Sequence, residues 1–227
     1  MSAITAAERR ERLVEVYRAA SECTRCPLAE TRTRVVFGAG DADADLMFIG
    51  EGPGAEEDRQ GLPFVGRAGQ LLNKMLGTIG MARDDVFIAN VVKCRPPGNR
   101  DPLPEEIESC RPYLEAQVRL IEPRVICTLG NFSTKLLTGN PQGITRVRGA
   151  PQLHELGGRP VFILPLFHPA AALRTPAVAE TLRTDFEGIP ALLQRPLPEP
   201  AEGPEGPTTE APPSDEQLGF FGGGGGG

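Results

Sequence analysis

Tryptophan is absent from this 227-residue sequence, tyrosine and histidine occur twice each, and only 5% of the residues are aromatic. No stretch approaches the roughly 18 consecutive apolar residues of a membrane span. The N-terminal run MSAITAAERRERL lacks the apolar core of a signal peptide, so a cytoplasmic protein is expected. In that compartment the five cysteines are expected to be metal ligands or free thiols rather than disulfides.

Negative charge is abundant, but it sits at one end. The net charge is −6, yet the last 33 residues hold six acids and a single base. The preceding 194 residues are close to neutral, so the acidic pI does not exclude a nucleic-acid partner. Those last 33 residues also hold seven prolines and nine glycines, a composition that cannot bury a core. We therefore expect one domain over residues 1–194 and a disordered tail over 195–227.

What is present is organised around Asp45–Gly69. Leu46-Met47-Phe48-Ile49 reads as a buried strand that must turn sharply at Gly50-Glu51-Gly52-Pro53-Gly54. Further strands are expected at Val86–Ala89, Val125–Leu129 and Val161–Leu164, with a short one at Val35–Phe37. Helices are expected over 5–20 (inner face Leu13, Val14, Tyr17, Ala20), 67–79, 104–121, 131–137 and 177–193. Pro104-Glu105-Glu106 suits a first helical turn. Short continuous apolar strands alternating with helices predict a three-layer α/β/α fold with a central, mostly parallel four-stranded sheet.

Glu51, Asn90 and His168 each stand just beyond a predicted strand, and a parallel sheet brings such positions to one edge, where a cleft can form. Each alone also reads as a turn residue, a cap or a satisfied histidine. His154 falls in a polar loop. Cys127 lies mid-strand and reads as a small buried hydrophobe. Cys23 and Cys26 make a Cys-x-x-Cys knuckle, and Cys94 and Cys110 flank a Pro-rich loop; four thiolates could hold zinc or an iron–sulfur cluster. The missing second knuckle favours a cluster over a zinc ribbon. Arg32, Arg34, Arg59, Arg67, Lys93, Arg95, Arg100, Arg146, Arg148 and Arg174 fall in the loops, as a phosphate-tracking surface requires. Gly50–Gly54 is not a phosphate loop, because no Gly-Lys-Ser/Thr follows.

Taken as a set, Gly50-Glu51-Gly52-Pro53-Gly54, Pro63-Phe64-Val65-Gly66, Asn90-x-x-Lys93-Cys94-Arg95-Pro96-Pro97, Cys110-Arg111-Pro112 and His168-Pro169-Ala170 resemble the family 4, iron–sulfur uracil-DNA glycosylases over about residues 20–194. The resemblance implies a 4Fe-4S cluster on Cys23, Cys26, Cys94 and Cys110. It also implies removal of uracil from single- or double-stranded DNA, leaving an abasic site without strand cleavage; a monomer is expected. Acting on a base requires flipping it from the stack. Phe64 would stack on the uracil, Asn90 would read its N3 and O4 edge, and His168 would bind O2 with backbone N–H groups near Gly52. Glu51 would position the water, with Glu57 a second candidate carboxylate. Better-known relatives carry Gly-Gln-Asp-Pro-Tyr where this chain places Glu51, Gly52 and Gly54, so the exclusion of thymine is not legible here. Leu173 and Arg174 are wedge candidates for the gap in the duplex. Gln217-Leu218-Gly219-Phe220-Phe221 resembles the clamp-binding peptides of bacterial repair proteins, which suggests a sliding-clamp partner.

Two other readings compete. One is a uracil-excising protein that becomes covalently trapped on its abasic product; the loop over 95–104 lacks the histidine of that branch. The other is a non-catalytic iron–sulfur or zinc nucleic-acid-binding module, which has no need of Glu51, Phe64, Asn90 and His168 together.

Overall fold

The computed structural model describes residues 4–198. Of the expected tail, residues 199–227, among them Gln217, Leu218, Phe220 and Phe221, therefore lie outside the described residues.

In chain order the elements are α1 (Ala6–Ser21), α2 (Leu28–Thr31), β1 (Ala39–Gly40), β2 (Leu46–Gly50), α3 (Ala55–Gln60), α4 (Arg67–Thr78), β3 (Phe87–Asn90) and α5 (Pro104–Ile121). There follow β4 (Val125–Leu129), α6 (Asn131–Thr138), α7 (Ile144–Val147), β5 (Gln152–Leu156), β6 (Arg159–Leu166), α8 (Pro169–Ala172), α9 (Pro176–Glu187) and α10 (Ile189–Gln194). Among the described residues no helix is long and apolar enough to cross a membrane.

The sheet has six strands in the order β1-β3-β2-β4-β6-β5. Its four central strands, β3, β2, β4 and β6, run parallel and correspond to the four expected from the sequence. The two antiparallel edge strands correct that count. The short strand expected at Val35–Phe37 is displaced to Ala39–Gly40; Val36 instead donates its N–H to Lys93 O at 2.8 Å, beyond the end of β3. His154, expected in a loop, lies on β5. That strand alternates partly buried and exposed positions, so it offers no continuous apolar run to read. Pro165 is accommodated in β6 because the β5 pairing ends at Ile163, leaving no ladder partner that needs its missing N–H.

Why the central strands read as unbroken apolar runs is visible in β2. Met47 and Ile49 pack into one core with α1 and α5, while Leu46 and Phe48 pack into the other with α4, α9 and α10. Both faces of the sheet are covered, so a period of two persists but both phases are apolar. Phe48 is fully buried and stacks on Phe186 at 5.7 Å between ring centroids. On α1, Leu13 and Ala20 face inward as expected, but Val14 and Tyr17 are exposed and Arg9 takes the inner position, donating to Ile121 O at 2.6 Å. The last expected helix is broken at Gly188 into α9 and α10.

The chain leaves β2 through α4 to β3 on one side, then crosses by α5 to β4 on the other. That reversal makes the carboxyl end of β2 a topological switch point, where open α/β sheets form their ligand crevices. The Pro-rich loop bordering the crevice is anchored by Glu106, a fully buried carboxylate that accepts from Arg100 Nη1 (2.8 Å) and Nη2 (2.6 Å) and from Leu103 N–H (2.8 Å).

The Arg100 hydrogen bonds hold the Glu106 carboxyl below the usual carboxylate range, with the Leu103 N–H helping. A depressed folded pKa stabilises the protein above the ordinary carboxylate value and is lost as pH falls through the folded one. Glu106→Gln should cost about 1–2 kcal/mol at neutral pH, since Arg100 is partly solvated. A denaturant midpoint lowered at unchanged slope checks it, and the deficit should shrink below pH ~4 as the wild-type carboxylate protonates.

Candidate active site

Parallel pairing sets Gly50 of β2 beside Asn90 of β3, and the ladder continues past both strands: Val91 N–H donates to Gly50 O (3.0 Å) and Val92 N–H to Glu51 O (3.1 Å). Two strand ends thus hold the Gly turn and the Asn90 turn side by side. Gly50 is the floor of the crevice. A Cβ there would lie 2.4 Å from Asn90 Oδ1 and 2.8 Å from the Phe64 ring. Two predicted residues, Asn90 and Phe64, therefore close on Gly50 from either side.

Phe64 reaches that position through a left-handed backbone, φ 49°, a strained conformation for an aromatic residue that the surroundings must over-determine. Three groups do so. Glu57 Oε1 accepts the N–H groups of Val65 and Gly66, each at 3.0 Å. Arg83 donates to Phe64 O at 3.0 Å and also to Pro63 O. Gly69 allows α4 to approach so closely that a Cβ would overlap Phe64 O at 1.7 Å. Glu57, a candidate water-positioning carboxylate, has its Oε1 committed to the backbone of this loop, while a Cβ on Gly54 would sit 2.7 Å from its Oε2.

His168 comes from the far side of the sheet, as the N-cap of α8 after β6. Its ring centroid is 5.7 Å from that of Phe64, with a 31° tilt. Gly130 makes the room: a Cβ there would lie 3.1 Å from His168 Cβ. Ala170 N–H donates to Nδ1 at 3.1 Å, which makes Nδ1 an acceptor and puts the proton of the neutral ring on Nε2. The residue is only partly exposed and its ring densely surrounded, and that burial pushes its pKa down to about 4 against a smaller upward pull from Glu57. At neutral pH it is an uncharged donor.

Glu51 is half-buried, and burial raises its pKa to about 7, helped by the neighbouring carboxyl of Asp101. Asn90 is 1% exposed, and its Oδ1 has no hydrogen-bond partner among the described residues. An unsatisfied buried amide beside an aromatic face, a neutral donor and a poised carboxyl describes a pocket for a flat polar ring. Gly52 lies against Val92, where a Cβ would come within 2.9 Å. Leu173 and Arg174, both exposed, follow α8.

The four predicted cysteine ligands line one small cavity, together with Ala20, Arg32, Lys93, Ser109 and Tyr113. Among the described residues no group of three or more His, Cys, Asp or Glu is arranged to hold a metal ion as it stands. Arg32 donates to Cys23 O at 2.7 Å and to Cys94 Sγ at 3.5 Å, and Lys93 N–H donates to Cys110 Sγ at 3.2 Å. Burial pushes the Cys94 thiol up to about 11 and raises that of Cys110. At Cys23 burial also raises the pKa, but hydrogen bonds involving Tyr113 and Arg25 outweigh it and hold it below the ordinary thiol value. Cys127 is apart from them, fully buried in the opposite core.

The expected basic surface is smaller than the sequence implied. Arg59, Arg100 and Arg148 are paired with Glu56, Glu106 and Asp185, Arg32 serves the cysteine site, and Lys93 is 1% exposed. Arg34, Arg67, Arg146 and Arg174 are exposed. Sequence reasoning missed Gly130, Gly69, Arg83 and Asp101. Only Gly130 carried a signal, since it follows the β4 run at the same edge as Glu51 and Asn90.

Comparison with known proteins adds an independent line. The family model for the uracil DNA glycosylase superfamily matches residues 37–187. The chain is 49% identical over 167 residues to a type-4 uracil-DNA glycosylase of Thermotoga maritima, covering 73% of this chain and 85% of that protein. It is 46% identical over 179 residues to that of Sulfurisphaera tokodaii (77% and 81%). With the Archaeoglobus fulgidus protein the identity is 42% over 192 residues (83% and 96%).

The His168 geometry is open to direct measurement. Nitrogen-detected NMR of the imidazole should show the Nε2–H tautomer and a protonation midpoint near 4. A midpoint near the ordinary histidine value of about 6.5 would mean that the ring is solvated.

Proposed function

The chain belongs to the type-4 branch of the uracil-DNA glycosylase superfamily, and on that premise we propose that it flips uracil out of DNA and hydrolyses its N-glycosidic bond. One observation supports the residue assignment: Gly50 lies against Asn90 and Phe64, and the Phe64 and His168 ring centroids are 5.7 Å apart, at the switch point of the sheet.

Phe64 stacks on the extruded base, and the Asn90 amide, which has both a donor and an acceptor, pairs with N3–H and O4. The bond between N1 and C1′ breaks with its electron pair leaving on uracil, so negative charge develops over N1 and O2. His168 meets that charge as a neutral Nε2–H donor; with its pKa near 4, it stabilises the anion by a hydrogen bond rather than by transferring a proton. Backbone N–H groups of the Gly50–Gly54 turn assist. Water adds to C1′, giving its proton to Glu51, whose pKa near 7 matches general-base work at neutral pH. Glu57 holds the Phe64 loop and contributes negative charge that favours the cationic sugar. Leu173 or Arg174 fills the gap in the stack.

Cys23, Cys26, Cys94 and Cys110 hold a 4Fe-4S cluster in this reading. The four cysteines line one small cavity, which fits the four-thiolate donor set that such a cluster would take. When bound, it supplies a positive core that keeps two buried thiols ionised and fastens α1, the Pro-rich loop and α5 together. The peptide Gln217–Phe221 is a candidate sliding-clamp ligand. Retention of the full chain on an immobilised clamp, lost on deleting residues 217–221, is the expected result.

Incubation with an end-labelled uracil oligonucleotide followed by alkali should cut at uracil and leave thymine intact. Asn90→Ala or His168→Ala should each lower the single-turnover rate by about 100-fold or more. No alkali-labile site would overturn the function, and a denaturant-stable protein–DNA band would favour covalent trapping.

Because the carboxylate of Glu51 is the active form, the rate should fall as pH drops below about 7. Asp101→Asn removes a like charge and should move this acid limb to lower pH. A limb that stays in place would show that Asp101 does not tune Glu51.

A further inference from the structure

Behind Asn90, on the side away from the crevice, lies a lysine that the reaction described so far does not use. Lys93 is 1% exposed, and its three ammonium hydrogens have three destinations. Nζ donates to Asn90 O at 2.8 Å and to Gln117 Oε1 at 2.5 Å, and it faces the Phe37 ring 5.9 Å from the centroid. Gln117, itself fully buried, is fixed by donating to Phe37 O at 2.9 Å. None of these neighbours is a carboxylate. A fully buried lysine is costly unless its charge is compensated, and the acceptors here are two carbonyls and a π face. They satisfy its hydrogen bonds, while the Cys110 thiol, whose Sγ accepts the Lys93 N–H at 3.2 Å, is placed to offset part of its charge. The field of the ammonium therefore extends outward, toward the residue whose side chain reads the base on one side and toward the Cys110 end of the cysteine cavity on the other.

We propose that Lys93 is a buried positioning charge that stabilises the uracil anion as it departs. This rests on the glycosylase reading above. Lys93 does not touch the base. It acts through Asn90: its bond to Asn90 O fixes the turn from which the amide projects, and its positive charge, held by that geometry, favours the negative charge that forms on N1 and O2. In a site shielded from water, such a fixed charge acts strongly and needs no reorganisation when the bond breaks. The same ammonium offsets the negative charge of the four-thiolate site, which would otherwise oppose the formation of a second anion nearby.

A structural role and an electrostatic one differ in how they respond to the leaving group. 5-Fluorouracil leaves more readily than uracil because its anion is stabilised by the fluorine, so it depends less on external help. Single-turnover release of the two bases from matched oligonucleotides is the measurement, with visible cluster absorption and binding to uncleavable DNA as independent readouts. Lys93→Met should slow uracil release by roughly tenfold or more, slow 5-fluorouracil release clearly less, and leave DNA affinity near wild type. Lys93→Arg should recover part of the loss with the wild-type ratio between bases. Gln117→Glu keeps the lysine but sets a carboxylate against it, so it should shift the ratio in the same direction even if Lys93→Met does not fold. Equal slowing of both bases, or no slowing in either variant, would overturn the proposal. Failure of the wild-type protein to release either base would instead overturn the glycosylase reading.

Discussion

Parallel pairing of β3, β2, β4 and β6 is the constraint on which the rest of this molecule depends. It brings four carboxyl ends to one edge, so residues far apart in the chain meet without long loops to carry them. Gly50 and Asn90 are register partners in adjacent strands, and Gly130 and His168 follow the ends of β4 and β6. Each strand is buried on both faces, so a register slip would exchange the residues packed with α5 for those packed with α4 and α9. The pocket geometry is therefore as rigid as the sheet beneath it.

Close approach is the second theme, and glycine is its instrument. The ring of Phe64 can lie over the strand end only because residue 50 has no Cβ, and α4 can press on the Phe64 loop only because residue 69 has none. The left-handed Phe64 backbone is held by two N–H bonds to Glu57 and by Arg83. A stacking face fixed in this way loses little freedom when a base arrives, and pre-organisation of that kind is where binding energy becomes useful to catalysis.

The sequence made the parallel core, and the strand-end residues that it brings together, legible for one physical reason: buried strands and Gly-rich breaks are local signals. The strand ending at Ile49 and the break at Gly50–Gly54 lie within ten residues of each other. The edge strands were not legible, since β1 has two residues and β5 is partly solvated. Nor were partners that depend on tertiary packing. Nothing local distinguishes Glu57, whose carboxylate clamps a loop eight residues ahead, from a solvated helix-start acid. Nothing local distinguishes Asp101, which raises the Glu51 pKa, from a loop acid. Lys93 shows the limit most sharply. Among loop arginines it reads as phosphate-binding surface, yet it is entirely enclosed.

That enclosure joins two sites that the chain could have kept separate. Lys93 precedes Cys94 and gives its own N–H to Cys110 Sγ at 3.2 Å, while its ammonium holds Asn90 O. Four residues thus span from the amide proposed to read the base to the cysteine cavity, with the Lys93 ammonium between them. Thiolates near a pocket that must release an anion are electrostatically adverse, and the adversity grows as the dielectric falls. Placing the cysteine site there is tolerable only with compensating cations at its inner wall, and Lys93 and Arg32 are both found lining it. The fold thereby gains a tie that fastens the α1 end, the Pro-rich loop and α5 beside the crevice, without surrendering the local potential that the chemistry requires.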